Sequence, residues 1–158
     1  MKTAIVFLAL IASVYTLTQT ITLNGFLYCN SEPADNVLVE LREKDTFEPD
    51  DTLSTNRSNY KGFFQVTGSQ FEVFRIRPYL RVIHKCNVKD KNACHRHSDY
   101  AIPSYIYVVY QWKDVKPFTT DHGTYSFGSI DLNKRKSRGF SRFFSDDIIT
   151  HDKEKCNY

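Results

Sequence analysis

The segment Pro78–Cys86 reads Pro-Tyr-Leu-Arg-Val-Ile-His-Lys-Cys and is the most informative stretch for the fold. Leu80, Val82 and His84 share one parity, and the residues between them have the other, which is the two-residue period of a half-buried β-strand. A proline suits the first position of a strand because its nitrogen cannot donate to the ladder. The segment therefore predicts a strand whose inward face carries His84.

The same alternation appears on both sides of this segment. Further strands are predicted at Thr20–Cys29, Val37–Leu41, Gly62–Val66, Ile102–Trp112 and Thr124–Leu132. In the last of these the apolar parity changes around Gly128, as it does at a β-bulge. Six or seven short strands separated by turn residues predict an all-β protein built as an antiparallel β-sandwich. Phe140, Phe143 and Phe144 are spaced as one face of a helix, which favours a short C-terminal helix.

The N-terminus has the pattern of a secretory signal peptide. Lys2 precedes the apolar block Ala4–Ala12, and this block is about half the length that a transmembrane helix needs. We expect cleavage between residues 13 and 20, which gives a signal peptide over 1–18, a single domain over 19–158 and a secreted, extracellular protein without a transmembrane segment. The alternative, a buried N-terminal helix, lacks a second amphipathic helix to pack against.

All four cysteines follow the predicted signal peptide, and an even number in an exported chain predicts two disulfides. Three pairings are open on the sequence alone. We expect Cys86 to pair with Cys94, because these two close a short loop, and Cys29 to pair with Cys156, because these two lie near the ends of the mature chain. Asn56 begins the sequon Asn-Arg-Ser in loop-like surroundings, which predicts an N-linked glycan.

A cluster of histidines and cysteines offers ligands that zinc prefers, namely His84, Cys86, Cys94, His95 and His97. Oxidised cysteines lack the thiolate that zinc needs, so we expect no metal and no cofactor here. His84 is then a hydrogen-bonded core residue, and His95-Arg96-His97 is a polar patch in a disulfide-bridged loop.

Two charged segments are further candidate sites. The acidic segment contains Asp45, Glu48, Asp50 and Asp51. Its spacing differs from that of an EF-hand, so a solvated acidic loop is favoured over a weak calcium site. The candidate binding surface is a basic-aromatic tail, made up of Lys134, Arg135, Lys136, Arg138, Phe140, Phe143 and Phe144. Its cations would suit an anionic membrane surface, but we favour the alternative in which the rings cover one end of the sandwich.

The order of several short motifs extends over nearly all of the mature chain. They are Gly25-x-Leu27-x-Cys29, Val37-x-Val39-x-Leu41, Gly62-x-Phe64-x-Val66-x-Gly68, Pro78-Tyr79-Leu80-x-Val82-x-His84-x-Cys86, Cys94 and Ile102-Pro103. This order resembles the nematode transthyretin-like family. The resemblance implies a transthyretin-like (prealbumin-like) sandwich and secretion, in a family with some members linked to cell-surface recognition. One departure is Ser58-Asn59-Tyr60-Lys61 in place of the family's Thr-Asp, and asparagine also favours a turn.

The sequence predicts no enzyme. The resemblance brings in the hydroxyisourate hydrolases, which share the transthyretin fold but end in Tyr-Arg-Gly-Ser, whereas this chain ends Lys-Cys-Asn-Tyr and has no nucleophile elbow or carboxylate pair. We therefore expect an extracellular binding or signalling module that recognises a cell-surface protein, a lipid surface or a small apolar ligand through the Ile102–Trp112 region or the basic-aromatic tail. Loss of Lys2 lowers the formal net charge from +3 to +2, too near neutral to indicate nucleic acid. Two alternatives are a small hydrolase related to the hydroxyisourate hydrolases, although their C-terminal motif is absent, and carriage of a hormone-like ligand in the channel of a tetramer.

Overall fold

The computed structural model describes residues 17–44, 49–72, 77–103, 106, 122–134 and 149–156. Within these ranges the chain forms nine strands, which are β1 (Leu17–Cys29), β2 (Glu32–Pro33), β3 (Leu38–Glu43), β4 (Asp51–Arg57), β5 (Phe63–Glu72), β6 (Pro78–His84), β7 (Cys94–Ala101), β8 (His122–Asp131) and β9 (Ile149–Cys156). The predicted all-β sandwich is confirmed.

Several predicted segments cannot be compared with this structure. The apolar block of the signal peptide and the C-terminal helix lie outside the described residues, and so does the strand over Ile102–Trp112 apart from residues 102, 103 and 106. In the ranges that are described, no helix is long and apolar enough to cross a lipid bilayer.

Two sheets make up the sandwich. In the first, β1 is central, with β5 and the short β2 antiparallel on one side and β8 parallel on the other. The second has the order β4-β3-β6-β7-β9 and is antiparallel throughout. The pair β1–β8 is the one parallel pair among the described strands. Alternation cannot reveal it, because side-chain parity is the same for both strand directions.

The core lies between the sheets, where the predicted inward faces meet. Its fully buried aliphatic and aromatic side chains include Ile21, Leu23, Leu27, Val39, Leu41, Phe64, Val66, Leu80 and Val82. In β1, β3 and β6 these are the inward faces that the two-residue alternation predicts, and those assignments are confirmed. Each side chain of this kind stabilises the fold by about 1.5 to 3 kcal/mol when it is withdrawn from water.

The predicted β-bulge is present in β8. Asn24 pairs with Ser126 and Phe26 pairs with Ser129, so two residues of β8 stand opposite one residue of β1. Gly128 lies in the bulge with a φ of 63°. Glycine reaches this left-handed conformation without the steric penalty that a Cβ brings.

Asn59 builds the turn between β4 and β5. Its Oδ1 accepts hydrogen bonds from the backbone N–H groups of Lys61 at 3.0 Å and Phe63 at 3.1 Å. Gly62 completes the turn with a φ of 76°, and a Cβ there would collide with the carbonyl oxygen of Leu27. The asparagine that departs from the family pattern thus forms the turn itself, as predicted.

The predicted disulfide pairing is wrong. Cys29 pairs with Cys86, which joins the two sheets, and Cys94 pairs with Cys156, which joins β7 to β9. The sheet register is the reason, because antiparallel pairing of β7 with β9 places Cys94 directly opposite Cys156. The two loops span 57 and 62 residues, and each closure removes about 4 kcal/mol of unfolded-chain entropy in the chain-entropy treatment.

Candidate functional site

A charged network is buried inside the sandwich, near both disulfides. Arg96 on β7 is 2 % exposed, and its Nε and Nη2 donate to the carboxylate oxygens of Asp152 on β9 at 3.2 and 2.6 Å. Its Nη1 donates to the carbonyl oxygens of Cys86 and Leu132 at 3.5 and 3.3 Å. A buried guanidinium is tolerated only when its charge is paired and its N–H groups are bonded. Arg96 therefore ties β7 to β9 and to the ends of strands in both sheets.

His84 and Ser98 extend this network across the sheet. The backbone N–H of Cys86 donates to Nδ1 of His84 at 3.2 Å, so the ring hydrogen is assigned to Nε2, which donates to Oγ of Ser98 at 3.1 Å. Ser98 donates in turn to Asp152 at 3.2 Å. His84 is 3 % exposed, so the prediction that it is a hydrogen-bonded core residue is confirmed.

The network contains serine, histidine and aspartate, but not in the order of a hydrolytic triad. In a triad the histidine accepts the serine proton and the carboxylate holds the histidine. Here His84 donates to Ser98, and the carboxylate of Asp152 contacts Ser98 and Arg96. Ser98 is also only 2 % exposed. The arrangement therefore stabilises the sandwich and does not activate this serine.

The environment of His84 makes it sensitive to acid. Burial lowers the pKa of His84 from 6.5 to about 4, and the nearby charge of Arg96 acts in the same direction. The folded protein therefore takes up this proton less readily than the unfolded chain. The stability that depends on the neutral ring is full above about pH 6.5 and is lost as the pH falls towards 4, a difference of about 3 kcal/mol.

The outer face of the five-stranded sheet carries a groove with a volume of about 550 Å³. We call it the Arg81 groove, and it is lined chiefly by Lys44, Tyr79, Arg81, Asp99, Ile102 and His151. Tyr79 and Arg81 reach it because they alternate along β6 with the inward-facing Leu80 and Val82. The facing residues of β7 and β9 follow from the register, in which Asp99 pairs with both Arg81 and His151.

Side-chain pairs hold the polar groups of the Arg81 groove in place. Arg81 donates to both carboxylate oxygens of Asp99 at 2.7 and 2.8 Å. The hydroxyl of Tyr79 donates to Asp50 at 2.7 Å, and burial, followed by this bond, raises the pKa of Tyr79 to about 12. Both carboxylates already accept strong hydrogen bonds, so the groove presents fixed polar groups beside the apolar side chain of Ile102.

The prediction that His95-Arg96-His97 forms a polar patch in a disulfide-bridged loop is wrong. His95, Arg96 and His97 lie on β7, where the two histidines face outward with their ring centroids 5.0 Å apart and the arginine faces inward. The loop prediction followed from the wrong disulfide pairing. The one group of three ligand-type side chains among the described residues is Cys94, Glu154 and Cys156, and its two cysteines form a disulfide.

The structure describes the sequon and the last two residues of the acidic segment, Asp50 and Asp51. Asp50 accepts the bond from Tyr79 and Asp51 begins β4, whereas residues 45 and 48 lie outside the described residues. Asn56 lies on β4 and not in a loop, with an exposed side chain whose Nδ2 donates to the carbonyl oxygen of Gln65 at 2.8 Å.

Of the basic-aromatic tail, one residue lies within the described ranges. Lys134 is exposed shortly after β8. The remaining tail residues, Arg135, Lys136, Arg138, Phe140, Phe143 and Phe144, lie outside the described residues. The membrane hypothesis for this tail therefore stays a prediction.

Comparison with known proteins decides the family. The family model "TTR-52: Transthyretin-like family" matches residues 24–103, from the second half of β1 through β7. The chain belongs to the transthyretin-like family. The resemblance drawn from the motifs is confirmed. Strands β8 and β9, with Asp152 and Cys156, follow the matched range in this transthyretin-like protein.

Similar proteins in Caenorhabditis elegans support the assignment. Transthyretin-like protein 16 is 41% identical over 85 residues, which cover 54% of this chain and 64% of that protein, slightly under two thirds. Transthyretin-like protein 5 is 39% identical over 107 residues, 65% of this chain and 76% of that protein. A solved 9R-lipoxygenase from Cyanothece has a TM-score of 0.37 and 17% identity over 84% of this chain and 18% of that one, a likeness too low to carry any argument.

Proposed function

We propose that this transthyretin-like protein is a secreted, non-enzymatic module that binds a cell-surface protein through the Arg81 groove. The observation that carries the proposal is the fixed geometry of the groove. The forked Arg81–Asp99 pair and the Tyr79–Asp50 bond hold charged and polar groups in place before a partner arrives. Preorganised polar groups beside an apolar side chain favour binding, because little side-chain entropy is then lost on association.

The chemistry of the groove supports recognition more than catalysis. A general base needs a carboxylate or imidazole that is free to accept a proton. Asp99 is held by Arg81, and Asp50 is held by Tyr79. The groove also carries the imidazole of His151, but the neighbouring hydroxyl of Thr150 donates to the carbonyl oxygen of Asp99 and is not a free nucleophile. The buried serine and histidine are likewise committed to the network around Arg96. Turnover of hydroxyisourate by the purified protein would contradict a non-enzymatic role.

Export is supported by the N-terminal pattern and by the oxidised cysteines. The chain begins with the order of parts of a signal peptide. All four cysteines are in disulfides, which persist in oxidising compartments. We also propose that Asn56 carries a glycan, because its side chain is exposed on β4. Expression in a eukaryotic secretory host should deliver the protein to the medium with a new N-terminus between residues 13 and 20.

Binding can be tested with labelled mature protein on dissociated C. elegans cells. We expect saturable binding that surface protease abolishes. Arg81→Lys keeps the charge but removes the planar fork that grips Asp99, so the dissociation constant should rise roughly tenfold. Tyr79→Phe, which removes only the hydroxyl that bonds Asp50, should weaken binding in the same direction.

Arg57→Lys is the matched control. It makes the same chemical change on β4, at a residue that does not line the Arg81 groove. The proposal is wrong if the mature protein shows no saturable binding, if binding survives protease treatment, or if Arg81→Lys binds as well as Arg57→Lys. Thermal unfolding of each variant separates a lost contact from a lost fold.

A further inference from the structure

A second surface on the outer face of the five-stranded sheet is strongly basic. It lies towards the other ends of β6, β7 and β9 from the Arg81 groove. The register pairs His95 with Lys155 and His97 with Lys153. Lys85 directly follows His84, which pairs with Arg96, so Lys85 lies beside His95. We call Lys85, His95, His97, Lys153 and Lys155 the lysine patch.

The three lysines of the patch are exposed and arranged as a grid. Neighbouring strands lie about 4.8 Å apart, and alternate residues along a strand lie about 6.8 Å apart. Lys153 and Lys155 therefore stand side by side on β9, with Lys85 two strands away. No ion pair with a carboxylate involves these lysines in the described part of the chain.

The loop between β6 and β7 adds to the same charge. Lys89 and Lys91 are exposed in it. Two nearby carboxylates are already engaged with backbone, since Asp90 accepts from the N–H of Asn92 at 2.8 Å and Glu154 accepts from the N–H of Lys89 at 2.9 Å. Asp35 is a third carboxylate beside Lys85, so five ammonium groups outnumber three carboxylates at this end of the sheet.

A neighbouring group responds to one of these cations. Burial, followed by the charges of Lys155 and of Arg81 in the other groove, lowers the pKa of His97 to about 4. A positive potential of this kind attracts anions to the surface. At neutral pH the imidazole remains uncharged and still offers an N–H donor.

A second groove continues from the patch. It has a volume of about 520 Å³, and its lining includes Val37, Leu38, Ile83, two cations, Arg57 and Lys85, and one carboxylate, Asp35. The aliphatic side chains give it an apolar wall, and Arg57 and Lys85 place cations at its rim. A pyranose ring combines these two requirements, because its C–H face is apolar and its substituents can be anionic.

We infer that the lysine patch binds a linear sulfated polysaccharide, with sulfates on the lysine grid and one sugar ring in the adjoining groove. The inference rests on the proposed export of the protein, since such chains are extracellular. Single-stranded nucleic acid calls for exposed aromatic rings that stack on bases, and a membrane surface calls for apolar side chains that insert. The exposed large hydrophobic residues in the described ranges are Phe26 and Tyr60, which belong to β1 and to the β4–β5 turn.

The test uses the oxidised mature protein and a size-defined heparin oligosaccharide at physiological ionic strength. We expect measurable binding that weakens steeply with added salt. Lys153→Ser/Lys155→Ser should weaken heparin binding roughly tenfold or more, because two contacts between a lysine ammonium and a sulfate are lost. Lys61→Ser is the matched control for Lys155→Ser alone, since it removes the same charge from an exposed lysine elsewhere and should bind as the parent does.

Further probes distinguish the ligand classes. A desulfated chain of the same length should bind far more weakly. The inference is overturned if heparin does not bind, if Lys61→Ser loses as much affinity as Lys155→Ser, or if phosphatidylserine vesicles or an oligothymidylate bind the patch more tightly than heparin. Heparin binding without protease-sensitive binding to cells would contradict the Arg81 groove proposal alone, and the reverse result would contradict this inference alone.

Discussion

The substitution Asp152→Asn tests whether the buried network holds the sandwich together. It keeps the size of the side chain but removes the charge that balances Arg96, which is 2 % exposed. The guanidinium then remains charged in the core with only neutral acceptors around it. Removing one partner of a buried ion pair costs about 3 to 5 kcal/mol. For a domain of this size, such a loss lowers the melting temperature by roughly 10 to 20 °C.

Urea and thermal unfolding of the oxidised protein, followed by circular dichroism, measure this loss. Arg96→Met/Asp152→Leu removes both charges and should recover most of the stability, because no unpaired charge stays buried. Glu32→Gln is the control. It makes the same loss of charge at an exposed side chain on β2, so its cost should be no more than about 0.5 kcal/mol.

Two results would refute this reasoning. One is an Asp152→Asn variant whose free energy of unfolding lies within experimental error of the parent. The other is a double variant that is less stable than Asp152→Asn, since that would show that the two charges do not act as a pair. Adding Arg96→Met and Asp152→Leu as single variants completes a double-variant cycle, which separates the pair from the individual side chains.

Four further predictions follow from the structure. The free energy of unfolding should fall by about 2 kcal/mol more in the parent than in His84→Gln between about pH 7 and pH 5, and equal slopes would contradict the pKa of His84. Peptide mapping without reduction should recover no direct bridge between Cys86 and Cys94. Gly62→Ala should destabilise the protein by more than about 1 kcal/mol in urea unfolding, because a Cβ there collides with backbone at a positive φ. The secreted protein should lose mass on treatment with a peptide-N-glycosidase, and Asn56→Gln should abolish that change.

The strands that alternate between apolar and polar residues could be predicted from the sequence. The inward faces of β1, β3 and β6 are confirmed, and so is the bulge at Gly128. Each of these buries a continuous apolar row, so the two-residue period is visible without any knowledge of neighbouring strands.

The polar strands could not be predicted in the same way. In β7 the inward positions carry Arg96 and Ser98, and in β9 they carry Asp152. A buried polar side chain looks like an exposed one until its partner is known. The available signal was the shared parity of Cys94, Arg96, Ser98 and Tyr100, which are all buried.

The disulfides show the same limit. The sequence determined that the cysteines are even in number and follow a signal-like segment, which was enough to expect two bridges. The pairing was decided by sheet register, because β7 lies beside β9 and sets Cys94 opposite Cys156.

For this protein, local periodicity and motif order determined the fold class and the family, because both depend on residues close together in the chain. Tertiary structure alone decided the cysteine partners, the burial of Arg96 and the assembly of the Arg81 groove and the lysine patch. All of these depend on strands distant in sequence that hydrogen bonding brings to within about 5 Å of one another.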